Sequence, residues 1–421
     1  MHFLLLVYHI HTRIYSLLNC GHETITTFLI SPIKSHTLSS STLQLQTSMA
    51  SSAISHFSSV STSTLRFNFS THLIRRPTSF PPSLKLHTKS LTVSASSTSL
   101  DYSTDTSSLS SKTSNWQWKF KDSSIKIYYE EHGNESNGPK KNILMMPTIS
   151  DVSTVEEWRL VAKDIIQQSG NVNWRATIVD WPGLGYSDRP KLDYNADVME
   201  SFLVDFILDP NSPINRMEDL VIVGGGHAAT IAIRAAKKGL VKPTAIAAVA
   251  PTWSGPLPIV FGRDSKTESR YELLRETLRA PGVGWMMYNV LVSNKKSIQS
   301  QYKSHVYADS TNVTPAIIEN RYELTKQKGA RYVPAAFLTG LLDPVKTREE
   351  FLQLFEGLDG KLPVLVVSTS GAPKRSKAEM EALREAKGVT KFVEVPGALL
   401  PHEEYPNLVA KELYSFLQDV I

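Results

Sequence analysis

Apolar and polar positions alternate in short runs from Trp116 onward. Trp116–Phe120 and Ile125–Tyr129 each place apolar side chains at every second position, and the polar stretch Lys121–Ser124 separates them. A period of two on both sides of a short polar connection predicts an antiparallel hairpin.

Beyond the hairpin, short apolar runs alternate with segments of helical periodicity. Buried strands are predicted at Asn142–Met146, Ala176–Val179, Leu220–Val223, Ala245–Val249, Pro363–Val367 and Lys391–Val395. Helices are predicted at Trp158–Gln167, after Asn195 as N-cap, at Ala228–Lys238, from a capping box of Ser376 and Glu379 to Gly388, and at Leu408–Val420. Residues 254–355 lack strand patterning and are predicted to form a helical lid at the strand ends. The alternation predicts an α/β fold with a mostly parallel sheet and helices on both faces.

The first hundred residues differ in composition from the rest. Glu23 is their only acidic residue, and serine and threonine are abundant. Such a stretch cannot bury enough apolar surface to fold, and the composition is typical of a transit peptide. We therefore predict a disordered transit peptide over 1–100 and import into the chloroplast stroma. Within it, 1–48 is interpreted as an extension upstream of a start at Met49. A linker is predicted over 101–115 and a folded domain over 116–421. The alternative is a secretory signal at Phe3–Tyr8, which is short and lacks a preceding basic residue.

Charge and composition exclude several classes of function. The formal charge of the chain is +5, but residues 1–100 hold seven basic residues and one acidic residue. The remainder has 45 − 7 = 38 basic and 40 − 1 = 39 acidic residues, a net charge of −1. This balance argues against a nucleic-acid partner. The only cysteine is Cys20, and no apolar run is long enough to cross a membrane. No metal site and no cofactor are predicted.

Two segments resemble motifs of the α/β hydrolases. Asp180–Pro190 matches the pattern D-x-P-G-x-G-x-S-D-x-P and follows a predicted strand, and Pro401–Pro406 resembles the end of the family's last catalytic loop. The resemblance covers most of 116–421 and implies a plant plastid protein with the α/β-hydrolase fold. It also implies a serine nucleophile on a sharp turn between a strand and a helix, in the pattern G-x-S-x-G.

The residues at the catalytic positions depart from the family pattern. By this resemblance, Gly226 stands at the nucleophile position, Ala372 at the acid position and Leu399 at the histidine position. The loop near the family's oxyanion hole corresponds to Pro147 and Thr148, and proline has no N–H to donate. The resemblance therefore predicts a catalytic triad that is not retained. His402 matches a second histidine of the motif that is not the catalytic one.

Several other residues are candidates for replacing the missing groups. The strongest is His227, whose imidazole can titrate near neutral pH beside the turn; its alternative role is a local hydrogen bond at the helix start. Asp343 could act as an acid or begin a turn. Four serines in or next to strand-end loops are candidate nucleophiles: Ser150, Ser254, Ser368 and Ser370. Glu403 and Glu404 are expected to be a charge pair at a helix N-terminus.

These residues predict a pocket beside the turn and leave three classes of function open. The predicted pocket residues are Pro147, Thr148, Gly225, Gly226, His227 and Trp253. Four lid residues could add apolar surface, Trp285, Met286, Met287 and Tyr288. The favoured function is the binding or unconventional transformation of a small hydrophobic metabolite. The alternatives are an ester hydrolase that uses displaced residues and a non-catalytic receptor or protein scaffold. An enzyme would be esterase-like or lyase-like.

A dinucleotide site is a weaker alternative. Gly224-x-Gly226-x-x-Ala229 follows a predicted strand and opens a helix, as the fingerprint G-x-G-x-x-A requires. The next predicted strand ends without the acidic residue that would bind a ribose. The motif also follows several other strands, whereas it normally opens its domain.

Overall fold

The computed structural model of the protein describes residues 109–134, 140–168, 172–214 and 219–420. The predictions made for 1–100 fall outside these residues. The strands are β1 (Leu109–Phe120), β2 (Ser123–Asn134), β3 (Lys140–Met146), β4 (Asn173–Val179), β5 (Leu220–Gly225), β6 (Ala245–Val249), β7 (Val364–Thr369) and β8 (Lys391–Val395). The helices before the lid are α1 (Arg159–Gln167), α2 (Ala196–Leu208) and α3 (His227–Lys237). The helices that follow are α4 (Pro256–Phe261), α5 (Ser265–Arg279), α6 (Val283–Leu291), α7 (Lys295–Gln301), α8 (Pro315–Lys326), α9 (Tyr332–Leu338), α10 (Arg348–Glu356), α11 (Lys374–Glu381), α12 (Pro401–Glu404) and α13 (Pro406–Asp419).

In the described part of the chain, the strands form one eight-stranded sheet in the order β1-β2-β4-β3-β5-β6-β7-β8. β1 pairs antiparallel with β2, and β2 pairs antiparallel with β4. All other neighbours are parallel. This arrangement confirms the predicted mostly parallel sheet. Because β3 and β5 to β8 run in one direction, the loops after them meet at one edge of the sheet.

Both faces of the sheet are buried. Along β5, Ile222 contributes to one core cluster while Val221 and Val223 contribute to the other. The first cluster includes Phe202 of α2, and the second includes Phe416 of α13. Since successive side chains of a strand point to opposite faces, continuous apolar strands such as β5 require helices on both sides.

The predicted hairpin is present and starts earlier than expected. β1 and β2 pair so that Trp116 faces Ile127 and Trp118 faces Ile125. All four side chains are buried. β1 begins at Leu109, so the linker predicted over 101–115 extends too far. The start of the strand was not predicted because the residues before Trp116 are polar. They pair with β2 through backbone hydrogen bonds, which do not depend on apolar side chains.

The predicted capping box of Ser376 and Glu379 is wrong. α11 begins at Lys374, after Pro373, and ends at Glu381 rather than at Gly388. Proline needs no hydrogen bond at a helix start, because it has no N–H to satisfy. The carboxylate of Glu379 instead lies 3.3 Å from Arg348.

Helices fill the segment predicted as a lid, and no strand lies between β6 and β7 among the described residues. The last two of these helices, α9 and α10, pack into the core, α9 through Val333 and Ala336. Phe351 and Phe355 of α10 belong to the same core cluster as Ile231 of α3. No helix in the described ranges is long and apolar enough to cross a membrane.

Candidate functional site

A sharp turn connects β5 to α3 at the loop edge of the sheet. Gly226 forms this turn with φ 53° and ψ −125°, and its N–H donates to the carbonyl of Val249 at 3.0 Å. Side chains rarely adopt a positive φ, and glycine adopts it without the usual cost. Gly226, which the sequence resemblance aligns with a nucleophile position, therefore forms this turn without a side chain.

Neighbouring side chains close around the turn. A Cβ atom on Gly226 would lie 3.3 Å from Oγ1 of Thr252 and 3.4 Å from Cγ2 of Thr148. A Cβ atom on Gly225 would lie 2.8 Å from Cγ2 of Thr148 and 3.0 Å from Cε1 of His402. The space that a nucleophile would use is therefore bounded closely by Thr148, Thr252 and His402.

His227 is buried and both of its ring nitrogens have partners. Nδ1 lies 2.7 Å from Oγ1 of Thr252, and Nε2 lies 3.3 Å from Oδ1 of Asp343. Asp343 also accepts the N–H of Gly255 at 2.9 Å and forms an ion pair with Arg263. We refer to His227, Thr252, Asp343 and Arg263 as the His227 cluster. The two candidates His227 and Asp343 are thus brought together, but each is already engaged.

His402 lies on the other side of the turn, where it forms a second histidine–carboxylate pair. Its Nε2 is 3.3 Å from Oε2 of Glu157, and its ring stacks on Trp158 with centroids 4.1 Å apart. The side chains of His402 and Glu157 are 0% and 1% exposed. Nδ1 of His402 has no hydrogen-bond partner among the described residues.

A chain of hydroxyl groups leads to this pair. Oγ1 of Thr148 donates to the carboxylate of Glu157 at 3.1 Å. Oγ of Ser153 lies 2.9 Å from Oγ1 of Thr148, and Oγ of Ser150 lies 2.8 Å from Oγ of Ser153. Every hydroxyl can donate toward Glu157, which connects half-buried Ser150 to a buried carboxylate. We refer to Ser150, Ser153, Thr148, Glu157 and His402 as the His402 cluster.

The loop after β3 carries a further constraint. The N–H of Thr148 donates to Oε2 of Glu157 at 2.8 Å. In the loop that resembles the family's oxyanion loop, the N–H of Thr148 is therefore already bound by a carboxylate. An oxyanion hole needs donors free to bind developing negative charge, and a fixed carboxylate opposes such charge. The carbonyl of Pro147 accepts from the indole of Trp181 at 2.8 Å.

The positions predicted for the acid and the histidine hold no titratable side chain. Ala372 is half-buried between β7 and α11, and the N–H of Leu399 donates to the carbonyl of Val306 at 3.0 Å. Trp253 packs beside Phe351, with its indole N–H 3.4 Å from Glu379. The side chain of Trp253 therefore packs partly against the core next to α10.

The remaining candidate serines do not join either cluster through any hydrogen bond among the described residues. Ser254 is half-buried, Ser370 is exposed, and Ser368 is buried on β7 with its hydroxyl unpartnered in the described part. Ser150 is the candidate that the geometry connects to other polar groups.

The segment Asp180–Pro190, which carries the family resemblance, is held together by its own hydrogen bonds. Asp180 accepts the N–H groups of Val155 and Tyr186, both at 2.7 Å. Burial raises the pKa of Asp180 to about 8, although these two bonds act in the opposite direction. The motif therefore fixes the loop after β4 to the start of the helical segment near Val155.

The lid is joined to the body by a buried ion-pair network. Arg321 of α8 is 1% exposed and forms ion pairs with Glu156 and Glu403, and its Nε donates to the hydroxyl of Tyr302 at 2.9 Å. Burial raises the pKa of Glu403, while the charge of Arg321 acts against this shift. Glu404 accepts the N–H groups of Ala308 and Asp309 at 2.9 and 2.7 Å. Glu403 and Glu404 lie in the first turn of α12, as expected for an acidic pair at a helix start, and both also bind the lid.

Four residues of the two clusters were not identified from the sequence: Glu157, Ser153, Thr252 and Arg263. Glu157 lies in an acidic pair directly before Trp158, and Arg263 lies directly before the N-cap Asp264 of α5. Each looks like an ordinary residue at a helix start. Their partners lie far away in the chain, so no local signal distinguishes them. Within the described residues, no group of three or more histidine, aspartate or glutamate side chains is arranged to hold a metal ion.

Several solved structures are similar to most of this chain. The haloalkane dehalogenase DatA from Agrobacterium tumefaciens C58 is similar over 73% of this chain and 97% of its own, with 15% identity and a TM-score of 0.52. A bromoperoxidase from Bacillus anthracis matches over 73% and 100%, with 14% identity and a TM-score of 0.52. A thermophilic esterase from Thermogutta terrifontis matches over 73% and 99%, with 16% identity and a TM-score of 0.51. No protein-family model and no curated protein matches the sequence.

These neighbours and the sheet order establish that the chain has the α/β-hydrolase fold. At such low identity the likeness extends to the fold alone. A fold of this kind supports many unrelated functions, so the function has to be argued from the site.

Proposed function

We propose that this protein is a plastid α/β-hydrolase-fold protein that binds a small hydrophobic metabolite and does not hydrolyse esters by a serine mechanism. One observation supports the absence of a serine mechanism: Gly226 forms the turn that the resemblance aligns with a nucleophile position, and the polar groups around it bind one another. Thr252 and Asp343 occupy both nitrogens of His227. Glu157 occupies the N–H of Thr148. A covalent mechanism needs a nucleophile and a base within hydrogen-bond reach, and the turn supplies neither.

Labelling with a fluorophosphonate tests this proposal directly. The full chain, shown to be folded by circular dichroism, is treated with the probe, and modified peptides are mapped by mass spectrometry. An active serine esterase serves as the positive control. We expect no serine to be modified more in the folded chain than in the urea-unfolded chain. One serine that reacts only in the folded chain would contradict the proposal.

Binding is tested separately with the apolar dye 1-anilinonaphthalene-8-sulfonate. We expect saturable binding to the native chain and loss of that binding in Thr252→Phe. Thr252 is half-buried beside Gly226, so a larger side chain there fills the space next to the turn. Thr113→Phe, at an exposed position of β1, is the matched control and should bind the dye as the unmodified chain does. Equal binding by both variants would contradict a site beside the turn.

A second candidate function is an ester hydrolase that uses displaced residues. The hydroxyl chain from Ser150 to Glu157 favours it, because the proton of Ser150 has a hydrogen-bonded route to a carboxylate next to His402. In the same labelling experiment, this function predicts modification at Ser150 and its loss in Ser150→Ala. The alternative of a receptor or protein scaffold also predicts no labelling, as the proposed function does. It further predicts that no bound ligand is turned over.

The location in the chloroplast stroma rests on the composition of residues 1–100. Fusions of 1–100 and 49–100 to a fluorescent protein, expressed in plant cells, test it. Import of both fusions is expected. Import of the longer fusion alone would contradict the interpretation of 1–48 as an upstream extension.

A further inference from the structure

Helix α6 is apolar on both of its faces, although only one face is buried. Gly284, Met287 and Tyr288 pack inward. On the outward side, Val283 is 52%, Trp285 62%, Met286 42% and Val290 51% exposed. A helix that is apolar all round is normally buried all round. We refer to Val283, Trp285, Met286 and Val290 as the lid face.

Exposed apolar side chains are concentrated in this part of the lid. Ten large apolar residues of the described chain are exposed, and six lie between Phe261 and Val290. The four others are Leu160, Leu208, Leu240 and Leu408, which are separated from one another along the chain. Single exposed apolar residues need no explanation, whereas a group of them indicates an interaction surface.

The sequence segment that contains the lid face has more basic than acidic residues. The segment 256–296 holds seven basic and four acidic residues, a net charge of +3. Since 101–421 carries −1 in total, the rest of that region carries −4. No charged residue lies between Arg279 and Lys295, so the lid face is uncharged and basic residues border it in sequence. Arg279 pairs with Asp193 and Glu276, and Lys295 pairs with Glu319. Lys295 and Lys296 are both exposed.

We propose that the lid face docks the protein on the surface of an anionic lipid bilayer. Shallow insertion of a short apolar helix face, with a tryptophan at the level of the headgroups and basic residues beside it, is the usual chemistry of such binding. Juxtaposed lysine and arginine residues strengthen it by attraction to anionic lipids. The binding is peripheral, in keeping with the absence of a spanning helix among the described residues.

The docking proposal does not depend on whether the site binds or hydrolyses its ligand.

Co-sedimentation with vesicles tests the docking. The full chain is mixed with vesicles of phosphatidylcholine containing phosphatidylglycerol, and with vesicles of phosphatidylcholine alone. The test variant is the pair Trp285→Ser and Met286→Ser. The matched control is the pair Leu160→Ser and Leu408→Ser, which removes exposed apolar side chains elsewhere. Since residues 1–100 are basic and common to all variants, the comparison of the two pairs isolates the lid face.

We expect the lid-face pair to raise the lipid concentration needed for half binding by about tenfold or more, equivalent to about 1.4 kcal/mol. The control pair should bind as the unmodified chain does, and Lys296→Glu should weaken binding to the anionic vesicles only. Equal binding by the lid-face and control pairs would overturn the proposal. Light scattering without lipid gives a second check, because a dimer that the lid-face pair abolishes would assign the face to a second copy instead.

Discussion

His227 and His402 lie on opposite sides of the turn at Gly226, and their surroundings differ in one respect. Both are buried and both face a carboxylate at 3.3 Å. In the His227 cluster both ring nitrogens of the histidine are engaged and Asp343 also binds Arg263, whose Nε has no hydrogen-bond partner in the described part of the chain. In the His402 cluster, Nδ1 is unpartnered among the described residues and the carboxylate continues into a hydroxyl chain. Closeness to the nucleophile position therefore says less about reactivity than the number of partners each group already has.

Glu157→Ala should have the largest effect. Glu157 accepts hydrogen bonds from the N–H and hydroxyl of Thr148, from the N–H of Thr154 and from His402. Leaving these buried donors unpaired should lower the free energy of unfolding by about 3–5 kcal/mol. Urea unfolding followed by tryptophan fluorescence measures it. Glu349→Ala, at an exposed position, is the control, and an equally small change in both variants would contradict the role of Glu157.

Asp343→Asn should lower the free energy of unfolding by about 2–3 kcal/mol, because it removes one of the two carboxylates that pair with Arg263, the other being that of Glu268. The amide oxygen can still accept from the N–H of Gly255, which limits the loss. Arg263→Met removes the guanidinium that pairs with Asp343. The variant that carries both substitutions should therefore lose less stability than the sum of the two single losses. Additive losses would show that the ion pair contributes nothing to the His227 cluster.

Gly226→Ser should lower the free energy of unfolding by about 1–3 kcal/mol through backbone strain and contact with Thr148 and Thr252. The variant should not react with a fluorophosphonate, because Leu399 provides no imidazole. The control is Gly239→Ser, which has a similarly positive φ of 71° and open space around it. Labelling of the new serine would mean that a base near the turn is still available.

The smallest effect concerns pH. Burial raises the pKa of Asp151 to about 6, above its value in the unfolded chain. The folded chain therefore holds a proton that the unfolded chain releases, and the free energy of unfolding should fall as the pH rises from about 4 to 6. Asp151→Asn should reduce this fall in the free energy of unfolding by about 1 kcal/mol, a value that allows for screening by solvent. Urea unfolding between pH 4.5 and 7.5 measures it, with Asp122→Asn in the exposed β1–β2 turn as control. An unchanged slope in Asp151→Asn would contradict the assignment.

The sequence predicted the sheet and the turn more completely than the site. Strand and helix periodicity is local, so β3, β5 and α3 could be located within a few residues. The position of the turn at Gly226 could also be predicted, because it follows a strand directly. The pairing of Glu157 with His402 joins residues 245 positions apart. Nothing in the neighbouring residues specifies such a contact, since only the folded sheet brings the loops after β3 and β8 together.

Arg321 connects parts of the chain that are far apart in sequence, since it binds Glu156 near the first helix and Glu403 near the last one. Local opening of α8 would expose a guanidinium and two carboxylates at once. Amide hydrogens of α8 and α12 should therefore exchange with deuterium together and only through large-scale unfolding. Those of α6, whose outer side chains are 42–62% exposed, should exchange through smaller and faster openings.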